Sequence, residues 1–319
     1  MSTVRALFLG TPDFARYHLE SLLKDDHFKI VGVMSQPDRP RGRKMDLQPS
    51  PVKELALQNK LPVLTPEKIN MNELAPKIKE WGAEVAIVVA YGQILPQDFL
   101  DFFPQRVVNV HASVLPRWRG AAPIQRAIMA GDKESGVSLQ IVVKKLDAGD
   151  VIGSYRVEIT DEDDSLSLHE KLKPLGAKLL NVDLMDYVRG NLSPIRQDEG
   201  LVTYAHKIEK SEREIIWSSS AEHIFNQVRG LVMGPGTMTR VMGQALKVHK
   251  VRIKDKARPP SSQSGEIIHV DAECFDVACG QGVLSVLEVQ PESRPKMSSK
   301  EFLLGYRGKL QIEKGTLLG

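Results

Sequence analysis

The sequence predicts an α/β protein, with a largely parallel sheet over residues 1–189 and a small β-barrel over residues 208–319. Three observations carry this reading. In the first half, short apolar runs with no helical stripe alternate with segments of helical apolar spacing, the pattern of a strand–helix layer fold. Residues 190–207 are polar and turn-rich, the composition of a linker. Beyond them the apolar runs are short and punctuated by Gly and Ser, as in small barrels.

The elements follow in order. Residues 4–9 are apolar throughout and read as a buried parallel strand. Phe14, Leu19, Leu22 and Leu23 then fall at roughly helical spacing, and residues 28–34 are β-rich again. Ser50 and Pro51 open a helix, the serine as N-cap and the proline in the first turn, where its missing N–H costs nothing. Residues 85–90 and 107–110 read as strands, and 123–130 as a short helix closed by Gly131. Residues 138–143 and 151–159 complete the sheet. The last helix of this half spans 167–189, with Ser167 and Glu170 at capping-box spacing and Leu168, Leu172, Leu175 and Leu179 on one face. Pro174 is expected to kink or split it. In the second half a helix near 220–230 precedes strand-like runs at 237–242, 245–253, 265–270, 274–278 and 283–289.

No apolar run approaches the ~20 residues that cross a bilayer, and the N-terminal run is too short for a signal peptide. Cys274 and Cys279 cannot make a disulfide framework, and a lone C-x4-C pair is a poor metal signal. The expectation is a cytoplasmic enzyme, monomeric, with no metal and no membrane partner. The net charge of +3 is unevenly spread: residues 1–189 hold 25 basic and 25 acidic side chains, residues 190–319 hold 18 and 15. From 240 to 258, Arg240, Lys247, Lys250, Arg252, Lys254, Lys256 and Arg258 face a single acid, Asp255. Arg39, Arg41, Arg43 and Lys44 form a second cluster, set among Pro37, Pro40 and Gly42, a composition that predicts a loop without regular structure. Both clusters suit a polyanion, since each neutralised phosphate releases counterions, and both equally suit a solvated face.

Ligands of open parallel sheets bind beyond the carboxyl ends of the strands. Three loops leave such ends. The first, Gly10 to Phe14, has one glycine and lacks the spacing of a dinucleotide phosphate site. The second runs from Ala90 through Tyr91, Gly92, Gln93, Ile94 and Leu95 to Pro96. The third begins at Asn109 and continues to Pro123. Asn109 and His111 are two apart at a strand end, so alternation puts both on one face. An amide donor beside an imidazole suits a carbonyl oxygen that becomes an oxyanion, and histidine moves protons near neutral pH. Asp147, in the turn Leu146 to Asp150, would tune that imidazole. Read alone, His111 is an ordinary buried histidine and Asp147 a turn residue; the surrounding pattern decides otherwise.

That pattern is Asn109-x-His111, Ser113-x-Leu115-Pro116, Trp118-Arg119-Gly120-Ala121-Ala122-Pro123 and Asp147-x-Gly149-Asp150. It resembles the formyltransferase family that uses 10-formyltetrahydrofolate. Gly10 to Ala15, Gln36 to Pro40, Pro49 to Lys53, Val89 to Gly92 and Leu201 to Ala205 extend the likeness along most of the chain. The resemblance implies a doubly wound, Rossmann-like first domain and a C-terminal barrel of oligonucleotide-binding type. It implies Asn109, His111 and Asp147 as the catalytic set, with Tyr91 to Leu95 and Ser113, Val114, Leu115 and Pro116 along the folate. The implied reaction moves a formyl group from folate N10 to the free α-amine of methionyl initiator tRNA, without a metal. Arg39, Arg41, Arg43, Lys44, Lys247, Lys250, Arg252 and Lys254 would then meet the tRNA. The chain carries Ala112 and Val114 where members usually have Gly and Leu, and Leu231 to Gly236 lacks their usual aromatic run. Two other readings are a sibling formyltransferase acting on a sugar-nucleotide or purine-ribotide amine, and a pure RNA-binding module. The basic clusters and the second domain argue against the former, and the catalytic trio would be idle in the latter.

Overall fold

The computed structural model describes residues 3–41 and 45–319. The chain forms two compact units: Met1–Pro123 with Glu134–Glu158 and His169–Ala205, and Ile124–Lys133 with Ile159–Leu168 and His206–Gly319. In chain order the first elements are β1 (Val4–Gly10), α1 (Asp13–Leu23), β2 (Phe28–Met34), β3 (Arg39–Arg41), β4 (Asp46–Gln48), α2 (Pro51–Gln58), β5 (Val63–Leu64), α3 (Met71–Trp81), β6 (Val85–Val89), α4 (Gln97–Phe102) and β7 (Val107–His111). Then come β8 (Arg119–Gly120), α5 (Pro123–Met129), β9 (Glu134–Ile141), β10 (Val151–Glu158), α6 (Ser165–Lys178), a π-helical turn at Leu179–Asp183, α7 (Leu184–Val188) and β11 (Tyr204–Ala205).

The first unit is built on a seven-stranded sheet in the order β10-β9-β7-β6-β1-β2-β5. The strands from β7 to β5 are parallel; β9 runs antiparallel to both its neighbours. The order reverses between β1 and β6, whose carboxyl ends lie side by side at Gly10 and Val89. Such a switch point opens the crevice in which doubly wound sheets bind ligands. The strands sit there because they are apolar on both faces: all five residues of β6 are buried. One face packs Leu7, Leu9, Ala86, Val88 and Val107 against Leu74 and Ile78 of α3 and Phe99 of α4. The other meets α6, where a Cβ on Gly176 would strike both Val110 and His18. With helices on both faces, Val110 points to the α6 side, and its neighbours Asn109 and His111 point to the other.

Several expectations are corrected. β9 begins at Glu134, four residues earlier than the apolar signal at Ser138, because Ser135 and Gly136 pair with β10 without contributing hydrophobicity. The last helix of this half starts at Ser165, not Ser167. Asp164 Oδ1 accepts from the backbone N–H of Leu166 and Ser167, and the Ser167 hydroxyl turns to Asp163 instead of forming a box with Glu170. Pro174 lies inside α6 without breaking it; the irregular turn falls at Leu179–Asp183. The segment after Pro37 is not without regular structure: β3 pairs antiparallel with β4. Arg43 and Lys44 lie outside the described residues. Helices α3 and α4 went unread, α3 because Pro76 interrupts its pattern and α4 because it is six residues long.

The second unit contains α8 (Ala221–Gly230), β12 (Thr237–Val241), β13 (Gln244–Asp255), β14 (Ile267–Val270), β15 (Phe275–Ala278), β16 (Val283–Pro291), β17 (Met297–Ser298) and α9 (Ser299–Tyr306). Its sheet is antiparallel, β12-β13-β16-β15-β14, with β17 also on β16. The C-terminal residues join its two edges. Leu318 bridges Val241 of β12, and Leu317 bridges Glu266 just before β14. Both edges are thereby covered, and the sheet closes as a barrel around Val248, Val251, Phe275, Val286 and Phe302.

His18 links this architecture to pH. It is fully buried on α1, and its Nδ1–H donates to the Phe14 carbonyl at 2.7 Å. Burial pushes its pKa down to about 4, and His169 and Lys173 nearby push the same way. The unfolded chain takes up a proton near pH 6.5 and the folded chain does not, so stability falls as pH drops from 6.5 to 4. His18→Gln should lose less stability than wild type between pH 6.5 and 4.5, by roughly 2–3 kcal/mol. A parallel fall of the unfolding midpoint in both proteins over that range would remove His18 as the cause.

Candidate active site

Asn109 and His111 stand at the carboxyl end of β7, between β6 and β9. His111 is 6% exposed and hydrogen-bonded through Nε2. Nε2 lies 2.8 Å from the Trp118 carbonyl oxygen, which can only accept, so Nε2 carries a hydrogen. Nδ1 faces Asp147 Oδ2 at 3.7 Å, within ion-pair range but longer than a hydrogen bond. Asn109 is half-buried, and among the described residues its amide has no hydrogen-bond partner. The trio read from the sequence is therefore brought together, with one donor open.

The Asp147 carboxylate is fixed before His111 is counted. Oδ2 accepts the backbone N–H of Gly120 at 2.8 Å, and Oδ1 accepts from Gln140 Nε2 at 2.9 Å. Gln140 stands directly opposite Asn109 in the sheet register. The turn itself is tight: Asp147 has φ 45°, and a Cβ on Gly149 would lie 1.7 Å from the Ile141 carbonyl oxygen. Behind the turn, Gln197 Nε2 donates to the carbonyls of Asp147 and Gly149, while its Oε1 accepts from Nε and Nη2 of Arg119. Arg119 is fully buried and also reaches Glu199, which pairs with Lys145. Those two cations hold the Glu199 carboxyl down at about 2. Gln140 and Gln197 were not read from the sequence. Each is a lone glutamine with no local pattern, and Gln197 meets its partners across about fifty residues of chain.

The loops expected along a folate are placed as follows. Ser113 is buried and donates to the Arg117 carbonyl, and Leu115 N–H donates to Ser138 Oγ. Leu115 is buried, whereas Val114 and Pro116 are partly exposed. In the loop after β6, Tyr91 is 2% exposed, with its ring in the core; burial raises its phenol to about 12. Its carbonyl accepts from Thr11 Oγ1 and Gln36 Nε2. Gly92 is exposed, Gln93 donates to the Pro66 carbonyl, Ile94 is 94% exposed and Leu95 packs on the core. This loop and the one after β1 thus meet at the switch point.

Of the basic residues, Arg39 pairs with Glu67. In the second unit Lys250, Arg252 and Lys254 are exposed on β13 and Lys247 is half-buried. A bulge makes this possible. Val248 pairs with Val289 and Lys250 with Glu288, so His249 is the extra residue. Val248 and Val251, three apart, both enter the core, and Lys247, Lys250, Arg252 and Lys254 share the outer face. Lys254 lies 3.9 Å from Asp276. Among the described residues there is no group of three or more His, Cys, Asp or Glu side chains that could hold a metal, and no helix long and apolar enough to cross a membrane.

Known proteins resemble the chain along nearly its whole length. Residues 4–183 match the formyl transferase family and residues 207–307 the formyl transferase C-terminal domain. The chain is 56% identical over 318 residues to a methionyl-tRNA formyltransferase of Bdellovibrio bacteriovorus, covering 99% of this chain and 100% of the relative. It is 40% identical to the enzyme of that name from Bacillus subtilis, covering 99% and 98%. Among solved structures, an N-formyltransferase of Helicobacter canadensis in complex with folinic acid and dTDP-3-aminofucose shares the fold. Its TM-score is 0.64 at 17% identity, covering 91% of this chain and all of that one.

Proposed function

The chain belongs to the formyl transferase family, and from that premise we propose that it transfers a formyl group from 10-formyltetrahydrofolate to the free α-amine of methionyl initiator tRNA. The observation that carries the reaction type is the open Asn109 amide beside a histidine that donates from Nε2 to the Trp118 carbonyl and faces Asp147 with Nδ1. The full-length likeness to enzymes named methionyl-tRNA formyltransferase supports the acceptor. The reaction belongs in the cytoplasm, where charged initiator tRNA is found.

The chemistry asks for little beyond what these residues offer. A neutral amine attacks the formyl carbon, and the formyl oxygen gains negative charge. The Asn109 N–H is free to donate to that oxygen, and a preorganised donor needs no metal to help it. The His111 ring, oriented by the fixed Asp147 carboxylate, moves the proton from the attacking amine towards the leaving folate nitrogen. The main chain of Tyr91 to Leu95 and the turn from Ser113 to Pro116 would hold the folate. Arg39, Arg41, Arg43 and Lys44 would receive the acceptor end of the tRNA. The outer face of β13 would hold its backbone, since phosphate contacts position a nucleic acid without reading it.

The direct test compares consumption of 10-formyltetrahydrofolate with methionyl initiator tRNA, methionyl elongator tRNA and a sugar-nucleotide amine. Consumption with initiator tRNA alone supports the reading; consumption with the sugar nucleotide overturns the acceptor. Asn109→Ala and His111→Ala should each lower single-turnover rates by about 10²–10³-fold while folate still binds. Wild-type rates in either variant would remove that residue from the catalytic set. Neutralising Lys247, Lys250, Arg252 and Lys254 together should weaken tRNA binding. It should also flatten the slope of log affinity against log salt by roughly 0.7–0.9 for each phosphate that is no longer neutralised. An unaltered slope would return this face to solvent.

A further inference from the structure

We infer that Gln197 is a positioning residue for the reaction: with Arg119 behind it, it locks the Asp147 turn against His111. The inference rests on the formyl-transfer reading of the site. No sequence motif marks Gln197, and it lies in the polar segment that composition reads as a linker.

The hydrogen bonds leave no freedom in how the amide is oriented. Arginine can only donate and a backbone carbonyl can only accept, so Gln197 Oε1 must face Arg119 and Nε2 must face the turn. Both hydrogens of Nε2 are used, one on the Asp147 carbonyl at 2.9 Å and one on the Gly149 carbonyl at 2.7 Å. Oε1 takes two bonds, from Arg119 Nε at 3.0 Å and Nη2 at 2.9 Å. Gln197 is 7% exposed and Arg119 fully buried, so water does not compete for these bonds.

What the pair joins matters more than its strength. Arg119 immediately precedes Gly120, whose N–H holds Asp147 Oδ2. Gln197 grips the same aspartate from its main chain. The two residues therefore clamp the carboxylate's anchor and the turn that bears it into one unit. Asp147 benefits from such a clamp because its φ of 45° lies in the left-handed region, which most residues with a Cβ avoid. The same segment also supports the other side of His111. Thr203 Oγ1 accepts from the Trp118 N–H and the Thr203 carbonyl from the Arg119 N–H, and the Trp118 carbonyl holds His111 Nε2. Residues 197–203 thus back both partners of the imidazole.

Gln197→Glu keeps the shape and the bond to Arg119 but sets a carboxylate against two carbonyl oxygens. Gln197→Met keeps the bulk, removes every side-chain hydrogen bond of Gln197, the 3.5 Å one to Gln140 Oε1 included, and adds no charge. Turnover, counted per folate-binding site so that unfolded protein is excluded, should fall about 10- to 100-fold in either variant, with both KM values changed by less than about twofold. The decisive comparison is with Asp147→Asn. If Gln197 acts through Asp147, adding Gln197→Met to Asp147→Asn should cost little further, less than about threefold, because the two losses are not independent. Multiplicative losses in the double variant, or wild-type turnover in both single variants, would overturn the inference. A wild-type protein with no formyl transfer in the same assay would overturn both the inference and the reading beneath it.

Discussion

On the proposed reading Asp147 orients His111, and a carboxylate with that task has to be held more firmly than the histidine itself. Asp147 lies on a turn, where side chains ordinarily move. It is immobilised by a backbone N–H from the loop after β7, a glutamine amide from β9 and a second glutamine from a segment fifty residues on. Each donor is a neutral dipole. None brings a competing positive charge to the oxygens that face His111, so the charge of Asp147 stays directed at the imidazole. The buried cation nearby, Arg119, is kept one residue removed, with Gln197 and Glu199 as its acceptors.

The barrel of the second unit solves a different problem. A strand with four basic residues on one face would ordinarily have to alternate strictly, and Lys247 and Lys250 are an odd number of residues apart. The bulge at His249 restores their common face while Val248 and Val251 both remain in the core. The barrel closes through its C-terminal residues, which bridge Val241 on one edge and Glu266 beside the other.

What the sequence made legible follows from which forces are local. Buried parallel strands are apolar on both faces, so β1, β2, β6 and β7 stand out as runs, and Ser50 and Pro51 announce α2 by cap chemistry that spans three residues. The meeting of Asn109, His111 and Asp147 could be read because the first two share a strand and the family pattern includes the third. The start of β9 was not legible, because Ser135 and Gly136 join by backbone pairing alone. Nor was the cap of α6, where two adjacent aspartates compete with Ser167 and win. The glutamines were beyond reach for a deeper reason. Their partners are main-chain carbonyls and a carboxylate brought near by the fold, and no spacing in the chain encodes that meeting.

The state of His111 sets the division of labour on the proposed reaction. A ring with hydrogen on Nε2 alone would point a lone pair at a carboxylate, an unfavourable arrangement that 3.7 Å of separation relieves only in part. The Nε2–H is spent on the Trp118 carbonyl, and Nδ1 faces Asp147 beyond hydrogen-bond length. A ring so held cannot also reach the formyl oxygen through Nε2 without releasing the Trp118 carbonyl. Asn109 is the one member of the trio whose donor is open from the start, so the first charge that develops on the formyl oxygen falls to it. On the proposed reading, proton transfer through His111 requires its Nε2–H to leave the Trp118 carbonyl. The Trp118 carbonyl shares its peptide plane with the Arg119 N–H, which donates to the Thr203 carbonyl at 2.9 Å, so the polar stretch after α7 is tied to the main chain that holds His111.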